Sequence, residues 1–488
     1  MLPIEWINMS NIITGLFLVN IVIAFTIIFL ERKNPSATLA WIMILFLVPV
    51  VGIIFYFLFS QNIARQRIFR MSLHEESMIN SSLKEQNALI EKGEFEFSNP
   101  ESKKWQDMIR LHQTYSEAYF TQDNRISILT DGKHKFDSLF NDIRNAKRII
   151  NVMYFIVKND SLGRQLIDLL TEKAREGVEV RFLIDAMGSR QINHKTLAKF
   201  KQAGGKYAFF FPPMIKDLNL KLNYRNHRKM VIIDGTIGYL GGFNVGNEYI
   251  GKKKKFGYWR DTHLRIIGSS VQDMNARFIL DWRFASKEKI LLSQAYYGQP
   301  SPSIKGTTGI QIVSSGPDSS KEEIKQGYLK MISSAKKNIY IQTPYFVPDA
   351  SILEALKMAV LCGVDVRIMI PCKPDHMFVY WATYHYAGVL IDHGAKIYIY
   401  DEGFMHAKTI CVDGEVAAIG SANFDIRSFR LNFEANAFIY DASEVYKMEA
   451  IFETDMTRCH ELTAKLYSER TIIIRFKESI SRLLSDLL

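Results

Sequence analysis

Hydrophobic and polar positions divide the chain into three regimes. From Ile12 to Leu30 no charge occurs over nineteen positions, and from Thr38 to Phe59 none over twenty-two. As a helix the first run rises about 28 Å, close to the ~30 Å hydrocarbon thickness of a bilayer. Joined by Glu31 to Ala37, the two runs predict a transmembrane helical hairpin. No basic segment precedes Ile12 and a second span follows at once, which argues against a cleaved signal peptide. Met71 to about Asp123 is charge-rich, with a helical stretch at Trp105 to Tyr119 and a Ser-Asn-Pro break at Ser98 to Pro100, and reads as a connector.

The third regime runs through one order of elements twice. Ala146-Lys147 and then Ile149 to Phe155 match Ala335-Lys336 and then Ile339 to Phe346, each a predicted strand. An amphipathic helix follows, Leu162 to Glu176 or Ile352 to Cys362, and then an apolar strand opened by Glu179-Val180-Arg181 or Asp365-Val366-Arg367. Such alternation predicts an α/β fold of two similar halves, each a mixed sheet flanked by helices. The implied divisions are a membrane anchor at 1–70, a connector at 71–125, and halves at 126–305 and 306–488, the second carrying a C-terminal helix.

Within each half one polar pattern interrupts the apolar rhythm. The first copy is Asn226-His227-Arg228-Lys229 with Asp234, closed by Gly241-Gly242-Phe243-Asn244. The second is His406-Ala407-Lys408 with Asp413, closed by Gly420-Ser421-Ala422-Asn423. Each apolar run ends at Asp-Gly, a turn signal, so the pattern reads strand, turn, strand. Alternate residues of a strand share a face, which points His227 with Lys229, and His406 with Lys408, into one site. A histidine can attack as the neutral ring or donate as the charged one, and two can divide those roles. Lysine ammoniums and asparagine amides are donors suited to phosphate oxygens. The implied chemistry is phosphoryl transfer through a covalent phosphohistidine.

This doubled pattern resembles the phospholipase D superfamily. The resemblance implies two α/β halves meeting at one active site, with no metal and no other cofactor. It implies His227, Lys229, Asp234, His406, Lys408 and Asp413 as the catalytic signature, with Asn244 and Asn423 binding phosphate. Asp234 and Asp413, on the turn, are expected to brace the motif. An acidic residue orienting each imidazole is also implied, and the reading assigns Asp261 to His227 and Glu434 to His406. Gly242 stands where the second copy has Ser421, one hydroxyl fewer.

Charge and composition add a little. A formal net charge of +10 points to anionic partners, nucleic acid or acidic lipid. Four scattered cysteines, Cys362, Cys372, Cys411 and Cys459, lack a metal-ligand spacing and read as reduced thiols. Lys252 to Lys255 read as a solvated loop. Arg65, Arg67 and Arg70 against Arg32 and Lys33 lean the catalytic region to the cytoplasmic side.

The motifs alone fit nucleases, lipid hydrolases and lipid transferases. Glu31-Arg32-Lys33-Asn34-Pro35, Thr38-Leu39-Ala40-Trp41 and Pro49-Val50-Val51-Gly52, with both motifs, resemble the bacterial cardiolipin synthases. That resemblance implies a multi-pass enzyme of the bacterial cell membrane that condenses two phosphatidylglycerol molecules, with His227 as nucleophile and His406 as acid and then base. Its partners would be phosphatidylglycerol and anionic membrane lipids, with no nucleic acid. The alternative is a membrane-anchored hydrolase or nuclease with water as acceptor. At the C-terminus Phe476, Ile480, Leu483, Leu484, Leu487 and Leu488 recur at helical spacing among Arg475, Lys477 and Arg482. Packing on the protein's own core is expected there ahead of an interfacial helix.

Overall fold

The computed structural model describes residues 9–30, 35–48, 52, 68–69, 71–212, 224–290, 306–483 and 485. Two compact units result, 1–63 with 213–224, and 64–212 with 225–488. In the first, helices Met9–Leu30 and Pro35–Leu47 pack together. Phe17 meets Phe46 edge-on at 5.9 Å, and the Asn20 amide donates to the Leu45 carbonyl at 3.1 Å, which satisfies a polar group that is otherwise buried. Taken over its described residues, no helix is long and apolar enough to cross a membrane. The later part of the second uncharged run, residues 49–51 and 53–59, lies outside the described residues, as do Arg65, Arg67 and Arg70.

In the second unit the strands of the first half are β1 (Thr121–Asp131), β2 (Ile149–Tyr154), β3 (Glu179–Asp185), β4 (Lys206–Phe210), β5 (Arg225–Asn226), β6 (Met230–Ile233), β7 (Ile237–Gly241) and β8 (Trp259–Ile267). Those of the second are β9 (Thr308–Ser315), β10 (Asn338–Gln342), β11 (Phe346–Val347), β12 (Asp365–Pro371), β13 (Lys396–Tyr400), β14 (Phe404–Met405), β15 (Thr409–Val412), β16 (Val416–Gly420), β17 (Phe424–Asp425), β18 (Asn432–Tyr440) and β19 (Cys459–Glu461). The first sheet runs β4-β3-β2-β6-β7-β8-β1, parallel from β4 to β2 and antiparallel beyond. The second runs β19-β13-β12-β10-β15-β16-β18-β9, with the same parallel trio at β13, β12 and β10. β1 pairs with β9 and joins the two sheets edge to edge.

The parallel strands read as near-continuous apolar runs because helices cover both faces. Every residue of β2 is buried, and helices Ser161–Arg175 and Ala350–Leu361 stand within two residues of where periodicity places them. Each half is a mixed sheet flanked by helices, as the alternation predicts.

Residues 71–120 have a role the sequence did not disclose. Helix Leu73–Lys92 opens with a capping box between Ser72 and Glu75 and closes on Gly93. Ile90, Trp105, Met108, Ile109, Ala118 and Phe120 then join the hydrophobic core of the second half, beside Val313, Tyr328 and Phe438. The Gln311 amide donates to the carbonyls of Ile109 and Ala118, at 3.1 and 2.9 Å. This stretch is a structural layer of the second half, not a spacer leading into the first.

Two short pairings cross between the halves. β5 of the first lies parallel to β18 of the second, and β14 of the second lies parallel to β8 of the first. Both β5 and β14 immediately precede a motif histidine.

Candidate active site

The exchanged strands place each histidine against the other half. His227 donates its backbone N–H to the Phe433 carbonyl at 2.9 Å, and His406 donates its own to the Arg260 carbonyl at 2.7 Å. Each imidazole therefore meets the acidic residue that follows the accepting carbonyl on its host strand. Nδ1 of His227 lies 2.9 and 3.0 Å from the two oxygens of Glu434, and Nδ1 of His406 lies 2.6 Å from Asp261 Oδ2. The expected pairing, Asp261 with His227 and Glu434 with His406, is corrected: the partners are crossed. The physical reason is the strand exchange, which buries each carboxylate beneath the opposite ring.

Both carboxylates are fully buried and kept charged. Burial alone would raise the Asp261 carboxyl, but Lys408 and His406 outweigh it and hold the group below the usual carboxylate range. Burial would raise Glu434 likewise, and His227, Lys229 and the Ser421 hydroxyl bring it down. That hydroxyl donates to Glu434 at 2.5 Å, and the Asn432 amide adds a bond at 3.1 Å. The first half has no equivalent hydroxyl for a steric reason. A Cβ on Gly242 would fall 1.9 Å from Asp261 Oδ1, so the shorter acid lies against the residue that lacks a side chain.

Burial pushes the His227 imidazole down to about 4, against the upward pull of Glu434. Burial also lowers His406, with Lys408 pushing the same way. Both rings are neutral in the empty site near pH 7. With Nδ1 of His227 facing the Ser421 carbonyl at 3.2 Å as well as Glu434, the proton belongs on Nδ1. Nε2 then carries the lone pair. At His406 the same edge meets one acceptor, Asp261, and one donor, Lys408 Nζ at 2.9 Å. Among the described residues no protein group bonds Nε2 of either ring.

Lys229 and Lys408 are buried beside their histidines, each donating to the carbonyl of the histidine two residues back at 2.5 Å. Burial lowers Lys229 to about 7 and Lys408 to about 8; Glu434 and Asp261 pull both up, and Lys408 pushes Lys229 further down. A cation pair of this kind, cut off from solvent, gains by taking up a phosphodiester anion. The His227–Glu434 and His406–Asp261 contacts bring the two motifs together across the halves.

Asp234 and Asp413 stand away from the rings, at the far ends of β6 and β15. Each takes a left-handed turn conformation, φ 52° and 57°, ahead of a glycine. Asp234 accepts from the N–H groups of Lys147, Arg148 and Ile149, at 2.8, 2.7 and 3.0 Å. Asp413 does the same for Lys336, Lys337 and Asn338, at 2.8, 2.7 and 3.0 Å. These carboxylates, although part of the repeated pattern, brace the starts of β2 and β10. Asn244 is buried, its oxygen accepting from Ile156 N–H at 3.0 Å. Asn423 is buried too, its amide donating to Asp425 at 3.3 Å.

The family described as "Cardiolipin synthase, PLD-like domain" matches residues 139–278 and 328–456, one stretch in each half. A cardiolipin synthase of Oceanobacillus iheyensis is 51% identical over 482 residues, covering 99% of this chain and 100% of its own. The major cardiolipin synthase ClsA of Bacillus subtilis is 50% identical over 484 residues, covering 99% and 100%. The chain belongs to the cardiolipin synthase family. A second family, "Phospholipase_D-nuclease N-terminal", matches residues 18–61 of this cardiolipin synthase family member. Among solved structures, the phosphatidylserine synthase of Haemophilus influenzae aligns with a TM-score of 0.60 at 16% identity, covering 78% of this chain and 96% of that one, a likeness of fold alone.

Several residues that hold this family member's site together were not singled out from the sequence. Arg228, wholly buried between the motif residues, donates to both oxygens of Asp281 at 3.0 and 2.8 Å and to the Glu434 and Ser315 carbonyls. It ties the first motif to the second half. Arg260, next to Asp261, pairs with Asp455 at 2.7 Å. Asp375, bonded by the Tyr345 hydroxyl, acts electrostatically on His406 and Lys408. For Asp281 the signal was a charge set inside an apolar run, Phe278-Ile279-Leu280-Asp281-Trp282.

Proposed function

We propose that the chain transfers a phosphatidyl group between two phosphatidylglycerol molecules, giving cardiolipin and glycerol. His227 Nε2 attacks the phosphorus of the first lipid, and the bond from phosphorus to the headgroup glycerol oxygen breaks. His406, charged in the substrate complex, gives its Nε2 proton to that oxygen. The now neutral His406 takes the proton of a primary hydroxyl on the second lipid's headgroup. That oxygen attacks phosphorus, the P–N bond breaks, and His227 is restored. Lys229 and Lys408, with Asn244 and Asn423, hold the phosphate through both steps.

The observation that carries this reading is the crossed pair of buried histidine–carboxylate contacts around two lysines. His227 Nδ1 faces only acceptors, which suits it to the nucleophile's part, whereas His406 Nδ1 lies between an acceptor and a cation. The lipid charge arriving beside these groups raises the depressed pKa values and supplies the protonated acid.

The uncharged runs at 12–30 and 38–59 and the family match at 18–61 support a two-span anchor in the bacterial cell membrane, with the catalytic region cytoplasmic. Labelling of a cysteine at Ser72 from outside intact cells would overturn that side. The activity test is incubation of purified protein with labelled phosphatidylglycerol vesicles. Lipid of cardiolipin mass and released glycerol in equal amounts are expected, and phosphatidic acid as the sole product would mean that water is the acceptor.

A further inference from the structure

The C-terminal helix Ile472–Leu483 lies against the second half with its faces reversed from the expected packing. Its buried side chains are Glu478 and Ser481, while Ile472, Ile473, Phe476, Ile480 and Leu483 are 82%, 63%, 67%, 38% and 69% exposed. At about 100° per residue these five form one stripe, opposite Glu478 and Ser481. Polar contacts hold that orientation. Glu478 accepts from Arg470 Nε at 3.0 Å and from the Tyr467 hydroxyl at 3.2 Å. Rolling the helix to bury the stripe would strip a buried carboxylate of both partners.

Its neighbour is the helix Met377–Ile391. Lys477 lies 5.2 Å from the Trp381 ring, and the Ser485 hydroxyl meets the Tyr386 hydroxyl at 3.2 Å, so the two helices run in the same direction. Their starts share one end, where Met377 and Phe378, each 53% exposed, extend the apolar surface. Two residues before Met377 is Asp375, whose charge acts on His406 and Lys408. The start of the Met377–Ile391 helix thus carries exposed apolar side chains and, two residues earlier, an acid whose charge reaches His406 and Lys408.

We propose that this surface seats the catalytic unit on a leaflet containing anionic lipid. The stripe enters the boundary between headgroups and acyl chains, with Lys477 on one flank and Arg475 and Arg482 on the other against lipid phosphates. Cations on both flanks suit an anionic sheet, whereas a two-fold contact with a second copy would bring like charges together. A hairpin anchor ties a chain to a membrane, and this seat sets which way the site faces. The inference rests on the lipid-substrate reading only for the value of that orientation.

The test uses the full chain in vesicles of phosphatidylcholine and phosphatidylglycerol. An environment-sensitive fluorophore is placed on Phe476→Cys, or on Glu172→Cys in the first half, with Cys362, Cys372 and Cys459 replaced by serine. Quenching at 476 by shallow doxyl lipid, with protection from aqueous iodide, is expected, and the reverse at 172. Iodide quenching at 476 equal to that at 172 overturns the seat, as does protection from both quenchers, which would mean a protein contact. Independently, Ile473→Glu with Phe476→Glu is expected to slow turnover of vesicle phosphatidylglycerol at least about tenfold. Its rate on dispersed short-chain phosphatidylglycerol stays within about twofold, which also shows that it folds. Equal loss on both substrates overturns the proposal. Should the wild type make cardiolipin from neither, the substrate reading fails and the quenching still decides the surface.

Discussion

Glu434, on β18 of the second half, holds Nδ1 of His227 in the first at 2.9 and 3.0 Å, while Asp261 on β8 holds His406 at 2.6 Å. The two halves exchange their acids. Replacing an orienting acid by its amide keeps the shape and removes the charge that fixes the tautomer, at a cost of about 10²- to 10⁴-fold in kcat. Glu434→Gln is expected to slow formation of the phosphohistidine adduct in rapid-quench labelling more than Asp261→Asn does. The opposite ranking would mean that each acid serves the histidine of its own half.

Gly242→Ser places a Cβ where Asp261 Oδ1 now lies, 1.9 Å from it. An expected loss of about 1–3 kcal/mol in stability, with most of the activity, follows from overpacking against a buried charge. Ser421→Gly removes the hydrogen bond to Glu434 and the one the hydroxyl accepts from the Ala435 N–H at 3.0 Å, and should cost about 1.5–3 kcal/mol without a steric push on the carboxylate. Thermal unfolding and initial rates on both variants check the pair, and equal retention of activity would contradict the steric account.

The pH dependence has a worked sign. His227 at about 4 stays neutral well below the ordinary histidine range, so the acid limb of kcat/KM should lie below pH 6.5. The lysines, at about 7 and about 8, lose their charge as pH rises through those values in the free enzyme. Bound phosphodiester raises them, so the basic limb of kcat should lie above that of kcat/KM. Lys229, the lower of the two, sets the onset of that limb, so Lys229→Arg, charged throughout, moves the basic limb of kcat/KM upward; an unmoved limb would assign it elsewhere. Burial also depresses His112, to about 3. Between about pH 6.5 and pH 4 the unfolded chain binds protons at His112 and His227 that the folded chain refuses, so stability falls as pH drops through that window.

Asp234→Asn and Asp413→Asn weaken the bracing of β2 and β10 rather than the chemistry. A loss of about 1–3 kcal/mol each is expected in denaturant unfolding, with the pH profile of kcat in its original place. A displaced profile would bring these carboxylates back among the titrating groups of the site.

Much of this was legible in the sequence because it repeats. Two apolar runs ending in Asp-Gly, each led by His-x-Lys, specify two hairpins with a shared face, and the structure has them at β6–β7 and β15–β16. The assignment of acids was not legible. β5 and β14 are two residues long, too short for any periodicity, and their cross-half pairing decides which carboxylate each ring meets. The layer at 71–120 was missed for a related reason: Trp105, Met108, Ile109 and Phe120 reveal no partner until the second half, some two hundred residues later, folds against them. For the C-terminal helix the apolar spacing was plain, yet the side facing inward depends on Arg470 and Tyr467 waiting for Glu478.

Because each lobe carries the acid that its sister's imidazole requires, neither owns a working half-site. A chain severed between the lobes should yield two inert pieces whose turnover returns only on mixing. A single-lobe ancestor would have had to meet its twin to react at all. Fusion frees the two positions to drift apart in step, a short acid opposite a bare backbone on one side and a longer acid opposite a hydroxyl on the other. The two histidines can thus take different parts without breaking the frame they share.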